Sequence, residues 1–157
     1  MALAAERDNW QLYASDSVAA AVALADKNAN QNGLSGRLQT TVSHWFEQWQ
    51  GQLFDLIVSN PPYIAAHDAH LECGDLRFEP ATALVSGSDG LDAIRLIVAS
   101  SPAFLHDSGW LMLEHGYDQG AAVRSLYEQQ GLQEVKTVRD LAALERVTIG
   151  RKGPSVP

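Results

Sequence analysis

The chain has 157 residues, enough for one packed core and too few for two ordinary domains. Its 11 basic and 19 acidic residues leave a net charge of -8, which argues against a partner gripped mainly through nucleic-acid phosphates, although an enzyme that reads one extruded base stays open. The single cysteine, Cys73, excludes an internal disulfide and fits a reducing compartment, and no apolar run is long enough for a membrane span.

Met1 to Ala5 is apolar, but Glu6, Arg7 and Asp8 follow at once, unlike a signal peptide, so a cytoplasmic protein is expected. Strands alternating with helices predict an α/β domain with a mostly parallel sheet. Ala2 to Glu6 reads as the tail of a helix and Gln11 to Ser15 as a short strand. Asp16 or Ser17 is expected to cap the Ala-rich helix through Val22, Leu24 and Ala25, which Gly33 ends by entering the left-handed region. Leu38 to Val42 is a second strand. Phe54 to Ser59 is a third, a nearly continuous apolar run of the kind buried on both faces. Residues 65–88 form a long irregular connection, of a length usually reserved for function or motion. A helix follows from about Gly90 to Ala103, with Leu91, Ile94, Ile97 and Val98 on one face. Trp110 to Glu114 is a strand, and Asp118 to Gln130 is a helix closed by Gly131. Glu134 to Arg139 and Arg146 to Ile149 are expected to form an antiparallel pair at the sheet edge, and residues 153–157 a flexible tail.

The most informative residues are Asn60, Pro61, Pro62 and Tyr63, directly after the third strand. Two prolines stop a ladder, so the tetrad sits at a strand's carboxyl end, where open α/β sheets bind ligands. A nitrogen whose lone pair is delocalised into a carbonyl or an aromatic ring is a poor nucleophile. A site activates it by accepting hydrogen bonds from both its N–H groups, which turns the lone pair toward an electrophile. The Asn60 side-chain oxygen accepts one N–H and the Pro61 carbonyl the other, with proline fixing φ so that this carbonyl is held still. Tyr63 is placed to pack on the flat face of the amide or base. Alignment of this sort supplies up to about 7–11 kcal/mol of a barrier. The blander alternative is a strand-ending turn with Asn as a local cap.

Asp55 to Ile64 resembles the catalytic strand and loop of class I methyltransferases acting on planar nitrogen. Three further stretches narrow the resemblance: Gly74 to Pro80; Leu113-Glu114-His115-Gly116 with Gln119-Gly120; and Arg139-Asp140 followed by Arg146-Val147-Thr148. Together they are similar to the HemK/PrmC family, which methylates the glutamine side-chain amide in the Gly-Gly-Gln motif of peptide chain release factors. The resemblance runs from about Ala2 to Arg151.

It implies a Rossmann-like class I methyltransferase sheet, mostly parallel with an antiparallel edge pair, and S-adenosylmethionine as methyl donor. Residues 1–152 would be the C-terminal part of the catalytic domain. Asp16 matches the acidic residue that holds the donor's ribose hydroxyls, and Trp45 an aromatic beside the adenine. His44 stands where the family commonly has an acidic residue, and would hydrogen-bond the adenine amino group. Asn60 to Tyr63 match the substrate-holding tetrad, with Asn60 also near the methyl donor, and Glu79 is a further candidate for lining the site. The family's glycine-rich donor loop, its preceding strand and its N-terminal helical domain have no counterpart here. The expectation is therefore a sheet without its first, central strand, in a chain that starts inside the catalytic domain.

His67, His70 and Cys73 have ligand-like spacing, but no fourth ligand is evident and no metal is expected. Glu114 and His115 read as a buried hydrogen-bonded pair, since amide methylation needs no strong base. The partner expected is a release factor, with no stable nucleic acid and no membrane. The alternatives are methylation of a ribosomal-protein glutamine or of a nucleic-acid adenine amino group, or an inactive truncated fragment.

Overall fold

The computed structural model describes residues 1–68 and 81–155. The chain divides into two units, Met1–Gly51 and Gln52–Pro157.

The first unit holds α1 (Ala2–Glu6), β1 (Leu12–Asp16), α2 (Ala19–Gln31) and β2 (Leu38–Val42), then a 3-10 turn at Glu47–Trp49. β1 and β2 pair in parallel, with Leu12 opposite Leu38 and Asp16 opposite Val42, so α2 is the crossover that parallel pairing requires. The core is small: Ala4, Ala29, Leu34 and Leu38 are buried, with Leu12 and Ala14 packed against them. The capping expectation needs correction. β1 continues through Asp16, so the N-cap is Val18, and its side chain makes no cap. The Asp16 carboxylate instead accepts the Val18 N–H at 2.8 Å, a local turn made by a residue still in its strand. At the other end Gly33 adopts φ +68, and the Leu34 N–H reaches back to the Ala29 carbonyl at 2.9 Å.

The second unit holds β3 (Phe54–Ser59), α3 (Ala81–Leu84), α4 (Asp92–Ser100), β4 (Leu105–Glu114), α5 (Gly120–Gln129), β5 (Gln133–Arg139) and β6 (Glu145–Arg151). The strand order is β3-β4-β6-β5. β3 runs parallel to β4, while β6 is antiparallel to both β4 and β5. The expected antiparallel pair is therefore present, with β6 inserted beside β4 and β5 outermost. Ala93, Ile94, Ile97 and Val98 of α4 are buried at helical spacing, and Leu111 and Leu113 of β4 at strand spacing. Val123 and Tyr127 of α5 complete this core.

Three further expectations change. β4 begins at Leu105 rather than Trp110, because His106 to Gly109 passes through as an irregularity in the β3–β4 register, with Ser108 at φ 68. β3 is not buried on both faces: Val58 is 53% exposed and Asp55 is exposed. β3 ends the strand order of its sheet, with β4 its one paired neighbour among the described residues. The connection after Tyr63 is also partly regular, with α3 and a parallel bridge between Ile64 and Val85. At the far end Ser155 donates from its N–H and its hydroxyl to the Asp107 carboxylate. Among the described residues no helix is long and apolar enough to cross a membrane.

Candidate functional site

In the second unit the tetrad leaves the carboxyl end of β3 beside the end of its parallel neighbour β4, where Ser59 pairs with Leu113. Pro61 is buried and Pro62 and Tyr63 are half-buried, whereas Asn60 is exposed. Among the described residues no group hydrogen-bonds the Asn60 side chain or the Pro61 carbonyl. Toward the described residues both remain free to accept.

Tyr63, by contrast, is held at several points. Its hydroxyl donates to Glu114 Oε1 across 3.5 Å. Burial first, and then the Glu114 carboxylate, holds the phenol above its ordinary range, against the opposing Arg146 guanidinium. Its backbone carbonyl accepts from Gln119 Nε2 at 2.9 Å. Gly90, at φ +78, lies so close that an added Cβ would overlap the Tyr63 carbonyl oxygen. The neighbouring Asp89 carboxylate is drawn down to about 2 by hydrogen bonds from Arg95 and from the Leu91 N–H. One residue on, the Ile64 N–H donates to the Leu84 carbonyl and the Ile64 carbonyl accepts from the Ser86 N–H, each at 2.9 Å. The backbone after the tetrad is thus fixed, and two acceptors at its start stay open.

In the first unit Asp16 ends β1, and its carbonyl accepts the Ser43 N–H at 3.0 Å. That bond ties the residue after β2 to the end of β1, so Asp16, His44 and Trp45 gather at the carboxyl end of this parallel pair. Asp16 and His44 are exposed, and Trp45 is half-buried. Trp45 has φ 51, uncommon for a bulky side chain. The buried Ser43 braces the turn: its hydroxyl donates to the Trp45 carbonyl at 3.1 Å and accepts the Gln48 N–H at 3.2 Å. The His44 ring stands edge-on to the Trp45 ring, with centroids 5.7 Å apart, and its Nδ1 lies 3.8 Å from Glu47 Oε1.

Of the residues expected around the donor, Asp16, His44 and Trp45 thus share one strand end, while Asn60 stands with the rest of the tetrad at another. Glu79, His70 and Cys73 lie outside the described residues, and His67 is exposed. Sequence reasoning gave Glu114 a bland structural role and assigned none to Gln119. The available signal was Gly116 three residues before Gln119, the spacing of a tight turn at the end of a strand.

The comparisons bear on both units. The model of the methyltransferase small domain matches residues 1–90. The release factor glutamine methyltransferase of Xylella fastidiosa (strain Temecula1) is 54% identical over 151 residues, covering 96% of this chain and 54% of that protein. That of Pseudomonas aeruginosa is 55% identical over 149 residues, covering 95% and 54%. The chain therefore spans about half the length of the curated relatives it matches. A methyltransferase from Pyrococcus furiosus superposes with a TM-score of 0.73 at 15% identity, covering 98% of this chain and 68% of that one, which shows the class I methyltransferase fold. With the family model matched over more than half of its residues and the tetrad at the carboxyl end of a parallel strand, the chain belongs to the methyltransferase small domain family.

Proposed function

We propose that this chain forms the methyl-transfer part of an enzyme that methylates the glutamine side-chain amide in the Gly-Gly-Gln motif of a peptide chain release factor, in the cytoplasm. S-adenosylmethionine is the proposed donor, and residues 1–152 are proposed as part of one catalytic domain. The observation that carries the reading is a pair of acceptors, Asn60 Oδ1 and the Pro61 carbonyl, that no described residue hydrogen-bonds, on a backbone clamped just beyond them. The names of the relatives favour this acceptor over an adenine amino group.

When bound, the donor supplies a methyl group carried on a positively charged sulfur. The residues of the first unit fit such a molecule. Asp16 has one carboxylate oxygen engaged by Val18 and the other available to a ribose diol. Trp45 presents an aromatic ring and His44 an exposed imidazole to an adenine. In the second unit, Asn60 and Pro61 accept the two amide hydrogens of the glutamine, and Tyr63 packs on its face. This orients the nitrogen lone pair for in-line attack on the methyl carbon: the N–C bond forms as the C–S bond breaks. The extra proton on the nitrogen then leaves to solvent, because the four-substituted amide nitrogen that methyl transfer creates is cationic and strongly acidic. A dedicated base is not required.

The test is methyl incorporation into a release factor domain, with the motif glutamine changed to Ala as control and a ribosomal protein and DNA as rival acceptors. Asn60→Ala in the intact protein should lower kcat about 100- to 1000-fold, the scale of removing one preorganised polar contact, while donor affinity changes little. Turnover that survives Asn60→Ala, or transfer that does not depend on the motif glutamine, would sink the proposal.

A further inference from the structure

The Gln119 side-chain amide ties the end of β4 to the tetrad. Its Oε1 accepts the Gly116 N–H at 2.8 Å, and its Nε2 donates to the carbonyls of Tyr63 at 2.9 Å and Asp89 at 3.3 Å. Both Nε2 hydrogens and the oxygen are thereby used, which fixes the amide against rotation. The backbone on either side is also fixed: the Gln119 N–H donates to the Gly116 carbonyl at 3.0 Å, and the Gln119 carbonyl accepts the Val123 N–H in the first turn of α5.

Gly116 is itself anchored from beneath. Its carbonyl accepts from His115 Nδ1 at 2.8 Å. His115 is fully buried, and its Nε2 lies 2.9 Å from the Thr148 hydroxyl. That hydroxyl lies 2.9 Å from the Thr137 hydroxyl, which accepts from Arg124 at 2.6 Å. Arg124 also pairs with Glu145 at 2.9 Å. For a neutral imidazole only one set of directions satisfies every partner: Arg124 to Thr137, Thr137 to Thr148, Thr148 to His115 Nε2, and His115 Nδ1–H to the Gly116 carbonyl. This polarised chain crosses β5, β6 and β4 and ends, through Gln119, on the backbone of the tetrad.

We propose that Gln119 is a positioning residue for methyl transfer, holding the Tyr63 carbonyl, and with it the Asn60–Pro61 acceptors, in register with the end of β4. The proposal rests on the function proposed above for that tetrad. Gln119 touches neither acceptor nor donor in this role. Its effect passes through the backbone, where a displacement of about 1 Å in a reacting group can cost about 100-fold in rate.

Two variants and two readouts test it. Gln119→Leu removes every hydrogen bond of the amide. Gln119→Glu keeps an acceptor for the Gly116 N–H but sets a carboxylate against the Tyr63 carbonyl. Hydrogen exchange needs no substrate: in both variants the amides of Ile64 and Ser86 should exchange about tenfold faster, as expected for the loss of one supporting bond, while those of Leu111 and Leu113 keep their rates. Methyl transfer to the release factor domain should lose about 10- to 100-fold in kcat, with KM for the donor within about twofold. A merely structural role at Gly116 predicts the opposite for Gln119→Glu, which would then behave as wild type. Unchanged exchange at Ile64 and Ser86 overturns the positioning role whatever the turnover. Faster exchange with unchanged kcat overturns its link to methyl transfer. A wild-type protein that leaves the release factor domain unmethylated sinks the function instead, and the exchange result then decides the positioning role by itself.

Discussion

Trp45 shows what one residue can reveal about a site. Its φ of 51 places a large side chain where L-residues meet their own carbonyl, at a cost of roughly 1–2 kcal/mol. The buried Ser43 hydroxyl holds that backbone through two hydrogen bonds. Two substitutions separate backbone from ring. Trp45→Ala and Trp45→Gly lose the same ring, but the Gly variant is freed from the φ penalty and should be more stable than the Ala variant by about 1 kcal/mol in urea denaturation. Equal midpoints would show that the turn relaxes once the ring is gone. The sequence carried Trp45 as a candidate beside the adenine, but it could not carry this conformation. Left-handed backbone is announced by Gly or Asn, and Ser-His-Trp announces nothing.

The elements were legible where periodicity was strong and local. The helix containing Ile94, Ile97 and Val98 and the antiparallel pair of β5 and β6 follow from spacing alone. So does the position of the tetrad, because an apolar run followed by two prolines has few other endings. The insertion of β6 between β4 and β5 was less accessible, since strand order is decided by pairing between distant segments. The same holds for Gln119, whose partner Tyr63 lies far away in the chain. The exposure of Val58 escaped as well: an apolar run reports what a strand would bury, not whether a neighbour covers it.

Packing between elements gives its own test at Gly150 of β6. A Cβ there would lie 2.6 Å from Cδ2 of the fully buried Tyr127 ring of α5, and 3.3 Å from Leu132 Cβ. The ring has little room to move, and its hydroxyl also donates to the Thr148 carbonyl at 3.2 Å. Gly150→Ala should therefore destabilise the fold by about 1–3 kcal/mol, the usual cost of overpacking. Gly36→Ala is the matched control: nothing lies within 4 Å of its Cβ position and its φ is not left-handed, so it should be neutral or stabilising by about 0.4–1 kcal/mol. Thermal melts of the two variants read the difference directly.

On the scale of the whole molecule, the second unit joins its strands over very different spans. β5 and β6 meet across the short turn at residues 140–144, where the Asp140 carboxylate accepts the backbone N–H groups of Ala142 and Leu144. β3 meets β4 only after residues 60–104 have been gathered in. Loop closure over the longer span costs roughly 2 kcal/mol more. The two pairings should therefore form in sequence during refolding, hairpin first and β3 last, because local contacts need less entropy beforehand. Pulse labelling would show early protection of the amides that bridge β5 and β6 and late protection of the β3 amides that face β4; simultaneous protection would mean that the nucleus already contains β3. The late strand is the one that delivers Asn60 and Pro61. A chain halted before this last step would hold nearly all of its secondary structure and none of its proposed chemistry, so methyl transfer would serve as a stricter gauge of complete folding than any spectrum of the backbone.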